Sequence, residues 1–453
     1  MVERVVDGCT PFPRLGFGLS RTVTEGGGNG VRASSLWAQI VGVQKAVVEG
    51  VEFDEADEAL IICVRPVKRE RYRCGVCRRR SPGYDLGAGR RRWRTVDVGL
   101  VQAFVEAATP RVRCAVHGVV VAAVPWARHG AGHTRCFDDQ VAWLVRHTSK
   151  TVVAQLLRTS WRTVGAIVTR VVADLDAAAN GKGQDRLAGV RRIGIDEISY
   201  KRGHKYLVVV VDHDTGHLLW VGDGRTKKTL AGFFDLLGEQ RCAQIELISA
   251  DGADWIAELV ALRCLNAKLC LDPFHVVSWA TTALDEVRRD LWRQAKNSGQ
   301  KGLARNLSAA RWALLKNPDT LTERQKASLA WVAEFHEPMH RGWHLKEQLR
   351  QVFAPGGPER ITLLDAWLRW AFRCRIPPFV ELAHRIRRYK DDIVNTLTYR
   401  LSNARVEAIN TRIRLLTRIA FGFKSVDALI ALVMLHFGGY DLTLPGRHKP
   451  THT

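Results

Sequence analysis

Three carboxylates set at wide intervals, Asp196, Asp251 and Glu407, are the residues of this chain best suited to holding divalent cations. Two hard ions bound by oxygen ligands roughly 3.5–4 Å apart can activate one oxygen for attack at phosphorus and stabilise the oxygen that leaves. Mg²⁺ (or Mn²⁺) keeps several of its waters, so three protein carboxylates from distant positions suffice. Asp196 closes the apolar run in GIDE, and alternation sends it to the strand face opposite Ile193 and Ile195. Asp251 follows QIELISA and precedes Gly, the placement of a carboxylate at the rim of a sheet; a helix N-cap is the ordinary use of such an Asp. Glu407 lies in SNARVEAINTRIRLL. There Val406, Ile409, Ile413 and Leu416 form an apolar stripe, and Asn403, Glu407, Asn410 and Arg414 form a polar one. Two amides beside one carboxylate can orient it or touch a phosphate. Glu197, next to Asp196, points to the other strand face and is not expected to bind metal.

The elements that must position these acids can be read from the patterning. Residues 1–34, with GGGNG, read as a flexible tail. Residues 44–66 read as two strands around an acidic turn, and a basic, Cys-containing stretch completes a module over 35–136. Residues 137–185 are helical. From 191 three strands run in series (RRIGIDEISY, KYLVVVVDHDTG, HLLWVGDG), the middle one apolar on both faces like a central, doubly covered strand. Helix, strand, helix, strand and a long helix from 274 follow. Residues 299–399 are helical and Trp-rich, and a last helical segment runs from about 402 to 436. A mixed sheet with helices on its faces accounts for this order. It fits an α/β, ribonuclease-H-like core over 186–298 and 400–440.

The 68 Lys and Arg against 46 Asp and Glu leave a net charge of +22, which calls for a polyanion, and nucleic acid is the commonest such partner. Cys74-Gly-Val-Cys77 and Cys114-Ala-Val-His117 together form a Cys₃His set able to hold Zn²⁺ tetrahedrally; His129, His133 and Cys136 are possible substitutes. Arg78, Arg79, Arg80, Arg91 and Arg92 around them suit phosphate contacts, which give affinity but little base reading. Residues 149–176 read as helix, turn, helix. Ser160 can cap the second helix, and Arg162, Thr163 and Arg170 can face base edges or phosphates. With no apolar run of 18 residues and no apolar stretch near the N-terminus, a membrane span is not expected and the location expected is cytoplasmic. Ten scattered cysteines do not suggest a disulfide framework.

GIDEISYKRGHKYLVVVVDHDTGHLLWVGDGRTKKTLAGFF, SADGADW, LDPFHVV, RWALLKNPDTLT and YRLSNARVEAINTRIRLLTRIAFGF, in this order and spacing, resemble the ISL-three-type insertion-sequence transposases over most of residues 45–440. The resemblance implies a DDE core in which Asp196 is the first acid, Asp251 the second and Glu407 the third. It implies that an all-helical insertion fills the long gap between Asp251 and Glu407. It also implies a zinc-ribbon-like module, usually with a second CxxC, from which His117 departs. Ala404 and Ala408 stand where members often carry Gly. The partners implied are double-stranded DNA, as terminal inverted repeats and target, and further copies of the chain, because two DNA ends must be held together. DPFH resembles an Asp-x-x-His signature that places His275 near the active site, to orient a scissile phosphate or polarise a ligand. Asp272 is either a helix cap or a rival to Asp251 for the second metal position. Trp312, Trp331, Trp343 and Trp367 serve core packing, with base stacking as the alternative. A DNA-binding relative without catalysis would have lost the acids, and all three remain. A plain nuclease would not need end-specific modules.

Overall fold

The computed structural model describes residues 33–181, 185–354, 356–357, 359–420, 423 and 425–447. The expected tail lies outside these, apart from Ala33 and Ser34, which open the first helix. The chain forms two units, Met1–Cys136 and Phe137–Thr453.

In the first unit, α1 (Ala33–Ile40) precedes β1 (Ala46–Asp54) and β2 (Ala59–Pro66). The acidic turn between the strands closes on Asp54, whose Oδ1 accepts the N–H groups of Ala56 and Asp57. After β3 (Gly83–Asp85) come β4 (Arg90–Arg94), β5 (Gln102–Ala108), β6 (Arg111–Cys114) and β7 (Gly118–Val121). One sheet has the order β1-β2-β5-β4, with β2 and β5 parallel and the other pairs antiparallel. Ile62, Val64, Trp93, Val105 and Trp126 form its core. A small antiparallel sheet, β3-β6-β7, carries the second metal-ligand pair on its β6–β7 turn.

The second unit begins within α2 (Arg135–His147) and continues with α3 (Lys150–Leu156) and α4 (Trp161–Gly181). Then follow β8 (Arg192–Lys201), β9 (Lys205–Asp212), β10 (Leu218–Asp223), α5 (Lys227–Leu237), α6 (Glu239–Cys242), β11 (Leu247–Ala250), α7 (Asp254–Arg263), β12 (Lys268–Leu271) and α8 (Pro273–Asn297). The sheet order is β10-β9-β8-β11-β12; β8, β9 and β10 pair antiparallel, while β11 runs parallel to β8 and β12. The apolar run on β9 serves both faces. Leu207, Val209 and Val211 pack on one side with α2–α4, and Val208 and Val210 pack on the other with α5–α7. The helix-turn-helix therefore shares a core with the sheet: Phe137, Val141, Val164, Ile167 and Val171 join Ile198 and Leu218.

The segment expected as an insertion is a helical body of α9 (Lys301–Ala309), α10 (Arg311–Leu315), α11 (Glu323–Phe335), α12 (Glu337–Val352), α13 (Glu359–Arg373), α14 (Pro377–Arg388) and α15 (Lys390–Tyr399). The long α8 packs into this body through Val276, Ala280, Leu284 and Val287, so it shares the core of these helices. Trp367 is fully buried and donates its indole N–H to Leu345 O at 2.7 Å; Trp331 and Trp343 are partly buried, and Trp312 is exposed. The single last helical segment expected from the patterning is two helices, α16 (Ala404–Ile419) and α17 (Val426–Phe437). Ser425 caps the second by accepting the N–H of Ala428. No described helix is long and apolar enough to cross a membrane.

Asp392 on α15 is partly buried, and burial, helped by neighbouring Asp391, raises its carboxyl to about 6. The folded state holds this proton where the unfolded chain releases it, so its contribution to stability falls as pH rises from about 4 to 6. Asp392→Asn is therefore expected to raise the melting temperature at pH 8 and leave it unchanged at pH 4. Equal shifts at both pH values would show that the carboxyl ionises normally.

Candidate active site and metal centre

Asp196 stands in the middle of β8 rather than at its end. It lies at the rim nonetheless, because β8 pairs with β11 only as far as Gly194 while continuing along β9. It faces α16 with Gly194 and Ile198, opposite Ile193 and Ile195, as alternation requires. Glu197 N–H donates to its Oδ1 at 2.7 Å and Asn410 Nδ2 to its Oδ2 at 2.7 Å. Burial first, and the charge of Asp251 second, raise the Asp196 carboxyl to about 7.

Asp251 follows β11 directly. His275, on the first turn of α8, puts Nδ1 2.9 Å from Asp251 Oδ1 and 3.2 Å from Asp272 Oδ2. Hydrogen-bond geometry is met toward Asp272, so Asp251 Oδ1 stays buried without a hydrogen-bond partner. Contact with Asp251 first, then with Asp272, raises His275 to about 10 and makes it a cation at neutral pH. The ligand atoms of Asp251, Asp272 and His275 lie within 4.8 Å of one another. Asp272 occupies the N-cap position of α8 but does not cap it with its side chain. It is 3% exposed, and its Oδ1 accepts the backbone N–H of Asn403 at 3.0 Å.

Glu407 is exposed on α16, and its carboxylate makes no hydrogen bond or ion pair with Asp196 or Asp251. Its helix is nevertheless fastened to the acids. Asn410, one turn on, holds Asp196, and Asn403, one turn back, donates Nδ2 to Ile195 O at 3.4 Å. Ser249 Oγ donates to Asn403 Oδ1 and lies 2.6 Å from His213 Nε2. The serine hydrogen being used, His213 must donate from Nε2. Burial, then Arg405, lowers His213 to about 4 and keeps it neutral. Asn403 and Asn410 are each 1% exposed, which corrects their expected contact with DNA: both amides are turned inside the protein, where each donates Nδ2 to a group of β8. The parts of this network that the sequence reading missed are Ser249 and His213. A polar residue inside the otherwise apolar run LISA was the available signal.

The fit between α16 and β8 depends on Gly194. A Cβ there would lie 2.3 Å from Val406 Cγ2 and 2.8 Å from His213 Nε2. Gly194→Ala is expected to cost about 1–3 kcal/mol by overpacking and to lower DNA cleavage while DNA binding persists. Thermal melting and a cleavage assay check it; unchanged values in both would mean that α16 is not seated by this contact.

The metal donors of the first unit also converge. Cys74 Sγ and His117 Nδ1 are 3.7 Å apart, Cys77 Sγ and Cys114 Sγ 3.7 Å, and Cys114 Sγ and His117 Nδ1 3.6 Å. Ligands at about 2.3 Å from a tetrahedral Zn²⁺ are separated by about 3.5–3.8 Å, so the set fits zinc without rearrangement. Backbone N–H groups of Val116 and His117 lower the Cys114 thiol to about 6. His129, His133 and Cys136 do not join this cluster.

Of the expected DNA-contacting residues, Arg79, Arg80 and Arg162 are exposed. Arg91 is exposed but donates Nη2 to Ala131 O at 2.8 Å and lies over Trp93. Arg78 is folded onto Val124 O and Ala127 O. Two expectations are corrected. Arg92 is held by Glu106 on the neighbouring β5, by Asp54 at the end of β1 and by Asp57 in the β1–β2 turn. Arg170 makes a bidentate pair with buried Asp138, at 3.0 and 2.9 Å, which ties α4 to α2. Thr163 exchanges a hydrogen bond with Ser160, whose Oγ caps α4 by accepting the Thr163 N–H at 3.0 Å.

Three family models match in succession: the zinc-finger of transposase IS204/IS1001/IS1096/IS1165 over residues 70–117, the helix-turn-helix domain of transposase family ISL3 over 122–172, and the ISL3 transposase model over 193–433. The chain is 52% identical over 443 residues to the transposase for insertion sequence element IS1557 of Mycobacterium tuberculosis, in strains CDC 1551 / Oshkosh and ATCC 25618 / H37Rv, covering 92% of this chain and 99% of each relative. It is 25% identical over 300 residues to the transposase for insertion sequence element IS1001 of Bordetella parapertussis, covering 65% of this chain and 71% of that one. With a zinc finger, a helix-turn-helix and a transposase region matched in order along its length, this chain belongs to the ISL3 family of insertion-sequence transposases.

Proposed function

We propose that this transposase binds the terminal inverted repeats of its own element and cleaves and joins DNA there, with Asp196, Asp251 and Glu407 holding two Mg²⁺ (or Mn²⁺) ions in a ribonuclease-H-like core. The observation that carries this reading is the rim of the sheet. Asp196 and Asp251 face one another's charge there, Asp251 ion-paired with His275, beneath a helix that bears a third carboxylate. Three antiparallel strands followed by two parallel ones support the assignment of the core. When bound, the metals would activate the attacking water or 3′-hydroxyl and stabilise the leaving oxygen.

The protein's part is positioning and charge. Asn410 and the Glu197 N–H hold Asp196 in one orientation. Asp272, with oxygens engaged by Asn403 and His275, acts as a positioning residue, which leaves the second metal position to Asp251. His275, cationic and partly exposed, is placed to orient a scissile phosphate. Zn²⁺ held by Cys74, Cys77, Cys114 and His117 would keep the knuckle folded, and Arg79 and Arg80 present charge beside it to phosphates. Arg162, on the first turn of α4, faces DNA from the helix-turn-helix. The protein acts in the cytoplasm as a homo-oligomer, because joining requires two ends in one complex.

The test is a cleavage and joining assay on the element's own ends. Cleavage is expected with Mg²⁺, none with EDTA, and none on DNA with scrambled ends. Cutting regardless of end sequence would leave a general nuclease and sink the end-specific reading.

A further inference from the structure

Among the described residues of the second unit two lysines are deeply buried, and they differ in one respect. Lys346, 2% exposed, donates to Leu314 O at 2.7 Å and to Lys316 O at 3.3 Å, and it pairs with Glu347 at 2.6 Å. Lys150, 6% exposed, has an ammonium with no hydrogen-bond partner. It lies 4.9 Å from the ring of Trp161 and 5.2 Å from that of Phe423. Aromatic faces attract a cation but do not accept its N–H groups, so the charge remains under-solvated. A lysine ordinarily extends its head to water, and this one does not.

Lys150 lines a cavity of about 500 Å³ between the helix-turn-helix and the α16–α17 pair. That volume is within the range of about 300–1,000 Å³ common for small-ligand sites. Leu416, Ile419 and Leu432 form an apolar wall. Arg146, another lining residue, adds positive charge while donating Nη1 to Tyr440 O at 3.1 Å, and burial lowers His436 to about 4 and keeps it neutral. Trp161 presents a partly exposed ring. An apolar wall, a partly exposed indole and a cation without a hydrogen-bond partner match one ligand chemistry, a base joined to a phosphate.

We propose that this cavity receives an unpaired nucleotide of a DNA strand, with Lys150 taking its phosphate and Trp161 stacking its base. The proposal rests on the reading of this chain as a DNA-end-binding protein and adds a site to it. The site also touches the catalytic helix. Ile419 in the cavity wall and Glu407 lie on the same helix, about 18 Å apart at 1.5 Å per residue. An occupied cavity therefore bears on the helix that carries the third acid.

The experiment compares the full chain with Lys150→Met, which keeps the apolar stem and removes the charge, and with Trp161→Leu. Affinity is measured for an end duplex with a few unpaired nucleotides, for the same duplex fully paired, for scrambled versions of both, and for a free deoxynucleoside monophosphate. Both variants are expected to lose roughly five- to a hundredfold on DNA with unpaired nucleotides, the scale of one stacked base, and to bind paired DNA as the parent does. Lys150→Met is expected to melt at or above the parent temperature, since it removes a buried unpaired charge. Equal losses on paired and unpaired DNA, no loss on either, or a loss confined to the free nucleotide would each overturn the proposal. Failure of the end-binding reading is visible separately: the parent would not distinguish end from scrambled sequence, while the unpaired-strand comparison stays readable on both.

Discussion

The Asp196→Asn protein is expected to bind DNA as the parent does, to lose Mg²⁺-supported cleavage and joining by about a thousandfold, and to melt higher than the parent when metal is absent. Loss of activity follows from chemistry: an amide oxygen is a weaker ligand for a hard cation than a carboxylate. The gain in stability follows from the site's surroundings. Asp196 is partly buried, faces the charge of Asp251, and has its carboxyl raised to about 7. Between about pH 4 and 7 the folded state keeps a proton that the unfolded chain gives up, so stability falls as pH rises through that window. Substitution removes this penalty, so the melting gain should be present at pH 8 and absent at pH 4. The two hydrogen bonds can survive, because Asn410 has a buried, unpartnered Oδ1 and its amide can turn to accept from the new side chain. Glu407→Gln is the companion measurement. It should lose comparable activity without a melting gain, since Glu407 is exposed. If Asp196→Asn cleaves within tenfold of the parent, the acid is not a ligand.

Removing zinc should have the second largest effect. The full chain is expected to carry one zinc, and Cys74→Ser is expected to lose it together with slow amide exchange throughout β3, β6 and β7. Those strands hold three, four and four residues, too few to be stable as a sheet alone. A structural zinc contributes about 10–16 kcal/mol at neutral pH, more than a module of this size can supply from its core. The second unit has its own cores and should melt as in the parent. DNA affinity should fall and depend less steeply on salt, because Arg79 and Arg80 would no longer be held in place. A metal-free chain with intact exchange protection in these strands would remove zinc from the account.

Several parts of this architecture were legible in the residues because they depend on local periodicity. A side-chain period of two separates Asp196 from Ile193 and Ile195, and an unbroken apolar run marks β9 as covered on both faces. A CxxC pair and a CxxH pair imply four donors whose separation the chain itself nearly sets. The position of Asp251 after its strand was likewise visible, as was the capping of α4 by Ser160.

What the tertiary structure decided is where polar side chains spend their hydrogen bonds. Asn410 is bound to an acid 214 residues earlier, and Asn403 to a serine 154 residues earlier. Nothing in the SNARVEAIN stripe distinguishes such residues from a solvated face. The same holds for Arg92 and Arg170, which look free to meet phosphate until their carboxylate partners are folded beside them. The break between α16 and α17, and the sharing of one core by the helix-turn-helix and the sheet, are also set by packing between distant segments. The carboxylates could be picked out along the chain because their neighbours in sequence fix the faces they occupy. Their usefulness as a site depends on partners brought close only by the completed fold, since a buried polar group must find its hydrogen bond wherever the chain can supply one.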